Sequence, residues 1–347
     1  MREDFYDILK ERNLKEGGSS NESWNNWYWI YCGLVLNAVK QNEGVEAVGM
    51  YSRKEESARP LSEKYGIKNI YTDYKEMLAN NDIDTVYIAS PNSLHYSYAK
   101  EALLAGKHVI CEKPFTSTVK EFMELKQLAK EKQLFLFEAI VTIHMPNYLA
   151  VKENLSRLGK IRMVQCNFSQ YSSRYDKFLA GETPNVFNPA FSGGALSDIN
   201  IYNLHFVMGL FGRPAQIHYY PNLHENGIDT SGVAILEYDG FKAVCVGCKD
   251  TKSHCIAQIQ GEKGYITVDS ETSRCANAML NVGNENQSLA ISQNEDALYY
   301  ELKDFVKIVH EKDYDTCWKL LDYSQMVMEV YETARKDGGI VFDADRN

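Results

Sequence analysis

Two places in the chain hold residues suited to proton chemistry. The first is Glu112-Lys113-Pro114, where a lysine follows the apolar run His108 to Cys111 on backbone restrained by proline. The second is the trio Asp198, Tyr202 and His205, spaced i, i+4 and i+7 behind the pair Gly193-Gly194. On a helix that spacing puts all three on one face. A carboxylate, a phenol and an imidazole converging there could perform acid–base work, with Lys113 as a candidate catalytic cation. A plainer reading stays open for the trio: an aspartate at a helix N-terminus with buried aromatics below it.

The elements around Lys113 are legible. Asp84 to Ala89 is a short apolar run rich in β-branched residues, broken by Ser90-Pro91-Asn92, and reads as a buried strand. Tyr96 to Leu104 is amphipathic and stops at Gly106, and His108 to Cys111 is a second strand. Strand, helix and strand in so short a span make a βαβ unit with parallel strands. Ligands of such sheets sit beyond the carboxyl ends of the strands, where Ser90-Pro91-Asn92 and Glu112-Lys113-Pro114 both fall.

Ser-Pro-Asn-x-x-His followed by Ala-Gly-Lys-His-Val-x-Cys-Glu-Lys-Pro resembles the glucose-fructose oxidoreductase / inositol dehydrogenase / rhizopine-catabolism (Gfo/Idh/MocA) family. The resemblance runs from about Gly33 to the C-terminus. Gly193-Gly194-Ala195-Leu196-Ser197-Asp198 followed by Tyr202 is similar to the family's dihydrodiol and aldose dehydrogenase branch, with Asn200 where that branch often has Gly. The resemblance implies a nicotinamide cofactor, NADP or NAD, and a catalytic set of Lys113, Asp198 and Tyr202. Lys113 would place a positive charge beside Tyr202 and donate to the substrate oxygen, and Asp198 would orient the pair. A phenol needs a depressed pKa to accept a hydroxyl proton near neutral pH. The resemblance also implies that Ser90, Pro91, Asn92, His95 and Glu112 line the cofactor. That branch often has Trp and Arg after Glu-Ala; Glu138-Ala139 is followed here by Val141 and Ile143 at those places, which argues against an aromatic diol.

Upstream, Leu34 to Gln41 reads as a helix and Val45 to Tyr51 as a strand ending in Ser52-Arg53-Lys54. An acidic residue at that point would bond the adenosine ribose, whereas an arginine accommodates a 2′-phosphate, so Ser52 and Arg53 favour NADP. Glu56 to Tyr65 and Tyr74 to Ala79 read as helices, and so does Thr118 to Lys132. Leu134 to Glu138 closes the first domain as a strand. Met145 to Leu158 reads as a helix. Ile161 to Tyr171, Val233 to Tyr238, Phe241 to Cys248, Ile256 to Gln260 and Tyr265 to Val268 alternate as strands of an antiparallel sheet with one covered face. Asp296 to His310 and Tyr314 to Arg335 are amphipathic helices. The expected architecture is α/β: a Rossmann-like parallel-sheet domain over residues 24–137, then an α+β domain with a mainly antiparallel open sheet over 138–347. An open apolar sheet face suggests a homodimer. Ser172 to Asp176 and Asn185 to Pro189 are polar-aromatic loops before the trio; Arg174, Tyr175 and His205 are candidates to contact a sugar or polyol.

A formal charge of −10 over 347 residues disfavours nucleic acid and anionic membrane as partners. The N-terminal residues Met1 to Lys15 lack a signal-peptide apolar core and no run is long enough to span a bilayer, so a cytoplasmic protein is expected. The eight cysteines then read as free thiols, and the loose spacing of Cys245, Cys248, His254 and Cys255 favours sheet packing over zinc. The expected reaction is hydride transfer between the nicotinamide and a sugar, polyol or related carbonyl. The alternatives are a nucleotide- or sugar-sensing protein on the same fold, or a variant inactivated at its phosphate loop.

That last alternative comes from residues 24–32. Met1 to Ser23 is polar and reads as a helix and a loose linker. A dinucleotide-binding domain should then open with a strand and Gly-x-Gly-x-x-Gly, because only glycine lets backbone approach the pyrophosphate. The chain has Trp24-Asn-Asn-Trp-Tyr-Trp-Ile-Tyr-Cys32 instead. Its codons must be TGG AAY AAY TGG TAY TGG ATH TAY TGY. Shifted forward by one base they force Gly at positions 24, 27 and 29, and allow Gly-Ile-Ile-Gly-Thr-Gly-Tyr-Ile-Ala. That reading resembles the family's opening strand and loop, and implies a frameshift compensated near Gly33.

Overall fold

The computed structural model describes the backbone of residues 26–346 and the side chains of residues 32–346. Met1 to Asn25, and with them Trp24 and the expected N-terminal linker, lie outside the described residues. In chain order the first part comprises α1 (Asn26–Gln41), β1 (Gly49–Tyr51), α2 (Glu55–Tyr65), β2 (Asn69–Tyr71), α3 (Tyr74–Ala79), β3 (Thr85–Ile88), α4 (His95–Leu104), β4 (His108–Glu112), α5 (Val119–Lys132) and β5 (Leu136–Ala139). Local chemistry sets the ends. Gly66 ends α2 at φ 72, a left-handed conformation that glycine adopts without steric cost. The Asp73 side chain caps α3 by accepting from the Lys75 and Glu76 N–H groups. Thr118 and Glu121 form a reciprocal capping box at the start of α5.

Strands β3, β4 and β5 are parallel, with Val86 opposite Val109 and Ile110 opposite Phe137. Val109 to Glu112 and all of β5 are buried, as expected for a parallel sheet covered on both faces. β1 and β2 pair in parallel as a separate two-stranded piece. The expected strand Val45 to Tyr51 is only its last three residues, and the expected helix Leu34 to Gln41 is the C-terminal part of a helix that begins at Asn26.

The second part comprises α6 (Pro146–Asn154), β6 (Ile161–Ser169), α7 (Tyr175–Leu179), a π turn over Leu196–Asn200 running into α8 (Ile201–Phe211), then β7 (Gln216–Leu223), β8 (Asp229–Tyr238), β9 (Phe241–Cys248), β10 (Ile256–Gly261), β11 (Gly264–Val268), β12 (Ala278–Val282), β13 (Glu285–Ser288), α9 (Leu298–Glu311) and α10 (Tyr314–Asp337). The expected helix to Leu158 is α6 followed by a 3-10 turn. The eight strands form one sheet in the order β13-β12-β11-β10-β6-β9-β8-β7. Every pair is antiparallel except β6 with β9. Ala234, Leu236 and Tyr238 of β8 point into the core, while Val233 and Ile235 are half-buried on the other face. Buried Leu321, Met328 and Tyr331 of α10 belong to one core that also takes in β4 and β5, so the C-terminal helix ties the two sheets together.

Candidate active site

Lys113 leaves the end of β4 and is 9% exposed. Its Nζ donates to the Asp198 backbone oxygen at 2.6 Å and lies 3.3 Å from Asp198 Oδ1. The same nitrogen stands 4.7 Å from the centroid of the Tyr202 ring. The three residues expected to be catalytic are therefore together, although Lys113 leaves a strand and Asp198, on the π turn that runs into α8, lies 85 positions further along.

The glycine pair shapes the approach to this cluster. A Cβ on Gly193 would stand 2.6 Å from the Val186 oxygen, and Gly194 has φ +111, so neither tolerates a side chain. The Leu196 N–H donates to Asp229 Oδ2 at 2.7 Å, and the Asn200 side chain donates to the Cys245 oxygen at 3.1 Å. A Cβ on Gly247 would run into Asn200, so the branch's usual glycine is replaced here by an asparagine that packs on a glycine across the sheet.

Sequence reasoning missed one member. Lys249, just past β9 and 4% exposed, forms an ion pair with Asp198 Oδ2. Its position one residue beyond Cys-Val-Gly-Cys was the available signal, but that stretch was read only as sheet packing. Asp198 thus lies between two buried ammonium groups. Burial alone would raise its pKa, and Lys249 and then Lys113 overcome that and hold it well below the usual carboxylate range. Burial would likewise lower the Lys113 pKa, but negative charge on Tyr202, Asp198 and Glu112 raises it above the ordinary lysine value. Lys113 is a fixed cation at neutral pH.

The residues expected to line a cofactor occupy two adjacent loops. The His95 ring is 1% exposed, with Nδ1 3.0 Å from the Pro114 oxygen and Nε2 2.9 Å from the Ser90 oxygen. Burial lowers its pKa, and a neutral ring donates to only one of the two carbonyls. His95 is a staple between the Ser-Pro-Asn and Glu-Lys-Pro loops. Asn92 donates to the Ser192 oxygen at 2.9 Å, so this loop also touches the glycine pair. Ser90 and Pro91 are half-buried beside it, and Glu112 accepts from the Tyr87 hydroxyl. Ser52 and Arg53 follow β1, with Ser52 half-buried and Arg53 exposed.

On the substrate side, Arg174 precedes α7 and is within electrostatic reach of Asp198; burial lowers its pKa and Asp198 opposes that. Tyr175 packs on Phe187 at 5.5 Å between centroids, and Lys249 Nζ lies 6.0 Å from the Phe187 ring. His205 is elsewhere. It is fully buried, with Nδ1 2.9 Å from the Tyr323 hydroxyl and Nε2 3.6 Å from Glu138. The structure places it in the core, away from the Lys113 cluster. Among the described residues no group of three or more His, Cys, Asp or Glu could hold a metal ion, and no helix is long and apolar enough to cross a membrane.

Arg53 follows β1, and the loops around Asn92 and Lys113 follow β3 and β4, at the carboxyl ends of parallel strands where the two ends of a dinucleotide bind in such sheets. The middle does not fit. The only glycine in the described part of α1 is Gly33, inside the helix, where an added Cβ would meet nothing nearer than Leu61 at 3.8 Å. Among the described residues no glycine turn leads into α1 to admit a pyrophosphate.

Comparison with known proteins agrees with the geometry. Residues 33–140 match the family model described as an oxidoreductase family NAD-binding Rossmann fold, and residues 148–267 match the Gfo/Idh/MocA C-terminal domain. The chain is 35% identical over 311 residues to the scyllo-inositol 2-dehydrogenase (NADP(+)) IolU of Bacillus subtilis, covering 90% of this chain and 95% of that one. It is 26% identical to the trans-1,2-dihydrobenzene-1,2-diol dehydrogenase of Sus scrofa, over 90% and 94% of the two chains. KijD10, a 3-ketoreductase from Actinomadura kijaniata solved with TDP-benzene and NADP, shares the fold with a TM-score of 0.75 at 19% identity, over 92% and 95% of the chains. With both of its domains matched and a relative of this identity along nearly its whole length, the chain belongs to the Gfo/Idh/MocA family of NAD(P)-dependent oxidoreductases.

Proposed function

We propose that the protein's site is built for NADP-dependent oxidation or reduction at a secondary hydroxyl of a sugar or cyclic polyol. The carrying observation is Lys113 Nζ, held by Asp198 at 2.6 and 3.3 Å and 4.7 Å from the Tyr202 ring, at the carboxyl end of β4. A bound nicotinamide supplies the hydride chemistry. The chain's own part is the proton. Tyr202 takes or gives the hydroxyl proton at its phenolic oxygen. Lys113 donates to the substrate oxygen and favours the charged phenol. Asp198 fixes Lys113, and Lys249 fixes Asp198. Arg174 and Tyr175 border the place where a polyol would lie.

The identity to a scyllo-inositol dehydrogenase supports a cyclic polyol, and Arg53 supports NADP over NAD. Two further expectations stay with this proposal. One is a division near residue 137 into a cofactor-binding unit and a substrate-binding unit. The other is a homodimer through the open face of the eight-stranded sheet, where Val233 and Ile235 stand beside Val244 and Val246 with exposed Tyr220 at the edge.

The test is turnover of NADP with a panel of inositols, aldoses and their keto forms. It is run on the chain as it stands and on one carrying Gly-Ile-Ile-Gly-Thr-Gly-Tyr-Ile-Ala at positions 24–32. Turnover by either form supports the reading. Silence from both, with both folded, removes it.

A further inference from the structure

We infer that the chain as encoded lacks the central strand and pyrophosphate cradle of its dinucleotide site, and that residues 24–32 are that element read one base out of frame.

The sheet itself records the loss. A doubly wound sheet for dinucleotides has the strand order 3-2-1-4-5-6. Among the described residues this chain supplies β2-β1 as one sheet and β3-β4-β5 as another. Taken as 3-2 and 4-5-6, they leave one place vacant: that of the first strand, between β1 and β3. Among the described residues β1 pairs only with β2, and β3 only with β4, so each leaves one backbone edge without a partner strand there. Gly49 of β1 nevertheless stays close to the entry of β3, since a Cβ there would lie 3.6 Å from Ile83.

Leu36, Leu61 and Ile67 form a small cluster with Met50 on one face of β1, separate from the main core that holds Val35, Ile83 and Val86 and takes Tyr51 from the other face. A central parallel strand, apolar on both faces, is the element that joins such layers. Instead, the backbone from Asn26 to Gln41 is one helix. The family's N-terminal model aligns from residue 33, immediately after the anomalous segment.

The shifted reading supplies what is missing, in the right order. Gly-Ile-Ile provides β-branched apolar residues for a strand. Positions 27, 29 and 32 then read Gly-x-Gly-x-x-Val or Gly-x-Gly-x-x-Ala, the second of which is the dinucleotide fingerprint. The three glycines are dictated by the codons of Trp24, Trp27 and Trp29, because TGG followed by A or T always yields GGA or GGT one base later. Random tryptophans would not be spaced so that the shifted frame gives glycine at each required position.

Two observables separate this inference from the proposed function, on which only its binding half rests. Kd for NADPH is measured by fluorescence titration for the encoded chain and for the chain restored at 24–32. Hydrogen exchange is followed at the β1 and β3 amides in both, after melting curves confirm folding. Loss of the N–H contacts and helix terminus at a pyrophosphate corresponds to on the order of a hundredfold or more in affinity. The expected result is that restoration tightens binding by at least about that factor and slows exchange at Gly49–Tyr51 and Thr85–Ile88, which gain a partner strand. Equal binding by both chains overturns the missing cradle while leaving the proposed function intact. Unchanged exchange overturns the missing strand. Protected strands with no binding by either chain would retain the strand and sink the cofactor reading instead.

Discussion

Asp198 gives one carboxylate oxygen to Lys249, 51 positions further along, and keeps the other 3.3 Å from Lys113. Lys249 thus pairs with the carboxylate that holds Lys113. Lys249→Met leaves Asp198 with one cation, so its pKa rises toward the ordinary value. Turnover in the cofactor-binding form of the chain is expected to fall about tenfold to a hundredfold, the scale of a small misplacement of a catalytic group. The acid limb of kcat/KM is expected to move to higher pH, and Lys249→Arg to restore much of both. A drop in turnover without movement of the acid limb assigns Lys249 to packing alone.

Lys113→Met and Tyr202→Phe are expected to lower turnover by about two to four orders of magnitude each, the range of acid–base contributions. Tyr202→Phe removes only the hydroxyl and keeps the ring that faces Lys113. Its melting temperature should therefore stay close to that of the parent. A variant retaining parental turnover has lost nothing, and its residue would have to be struck from the proton path.

Asp229 provides a pH signature independent of activity. Its carboxyl is fully buried, and Oδ2 accepts from Leu196 N–H and the Tyr219 hydroxyl. Burial raises its pKa from 3.8 to about 6. The folded chain therefore binds more protons here than the unfolded chain between those values. The contribution to stability is full below the unfolded pKa and is lost as pH rises through the folded one. Across about pH 4 to 6 the protein should lose up to about 3 kcal/mol relative to Asp229→Asn. Parallel stability curves for the two proteins over that window would show that Asp229 does not carry the proton.

Arg53 is exposed at the end of β1. An exposed guanidinium on a 2′-phosphate is a charge-assisted contact, and Arg53→Ala should weaken NADP by on the order of tenfold while leaving NAD nearly unchanged. A restored chain that prefers NAD, or an alanine variant with an undiminished NADP preference, points to a different determinant.

The βαβ unit around Lys113 was legible because each boundary carries its own chemical mark: apolar β-branched strands, a proline turn and a glycine stop. Strand β2 was not, since three residues, Asn69-Ile70-Tyr71, are too few for alternation to register. Strand β7 escaped because Pro221 interrupts it and its outer residues are polar. The trio at i, i+4 and i+7 was read on uniform helical spacing. The chain places a π turn at Leu196–Asn200, and Asp198 and Tyr202 reach Lys113 while His205 turns to Tyr323. Lys249 was invisible for a different reason: it reaches Asp198 only through the pairing of β9 with β6 and β8, a long-range register that no local pattern encodes.

Ser192 joins three loops at one point. It sits at φ 53 immediately before the glycine pair, its carbonyl takes Asn92 and its hydroxyl meets that of Ser117 at 2.6 Å. The loop after β3, the loop after β4 and the approach to the Asp198 helix thus share a single fulcrum. A ligand that shifts the Ser-Pro-Asn loop pulls on the same residue that sets the start of that helix. The Ser-Pro-Asn loop and the start of the Asp198 helix are thereby tied through one residue, across two segments of chain 100 positions apart.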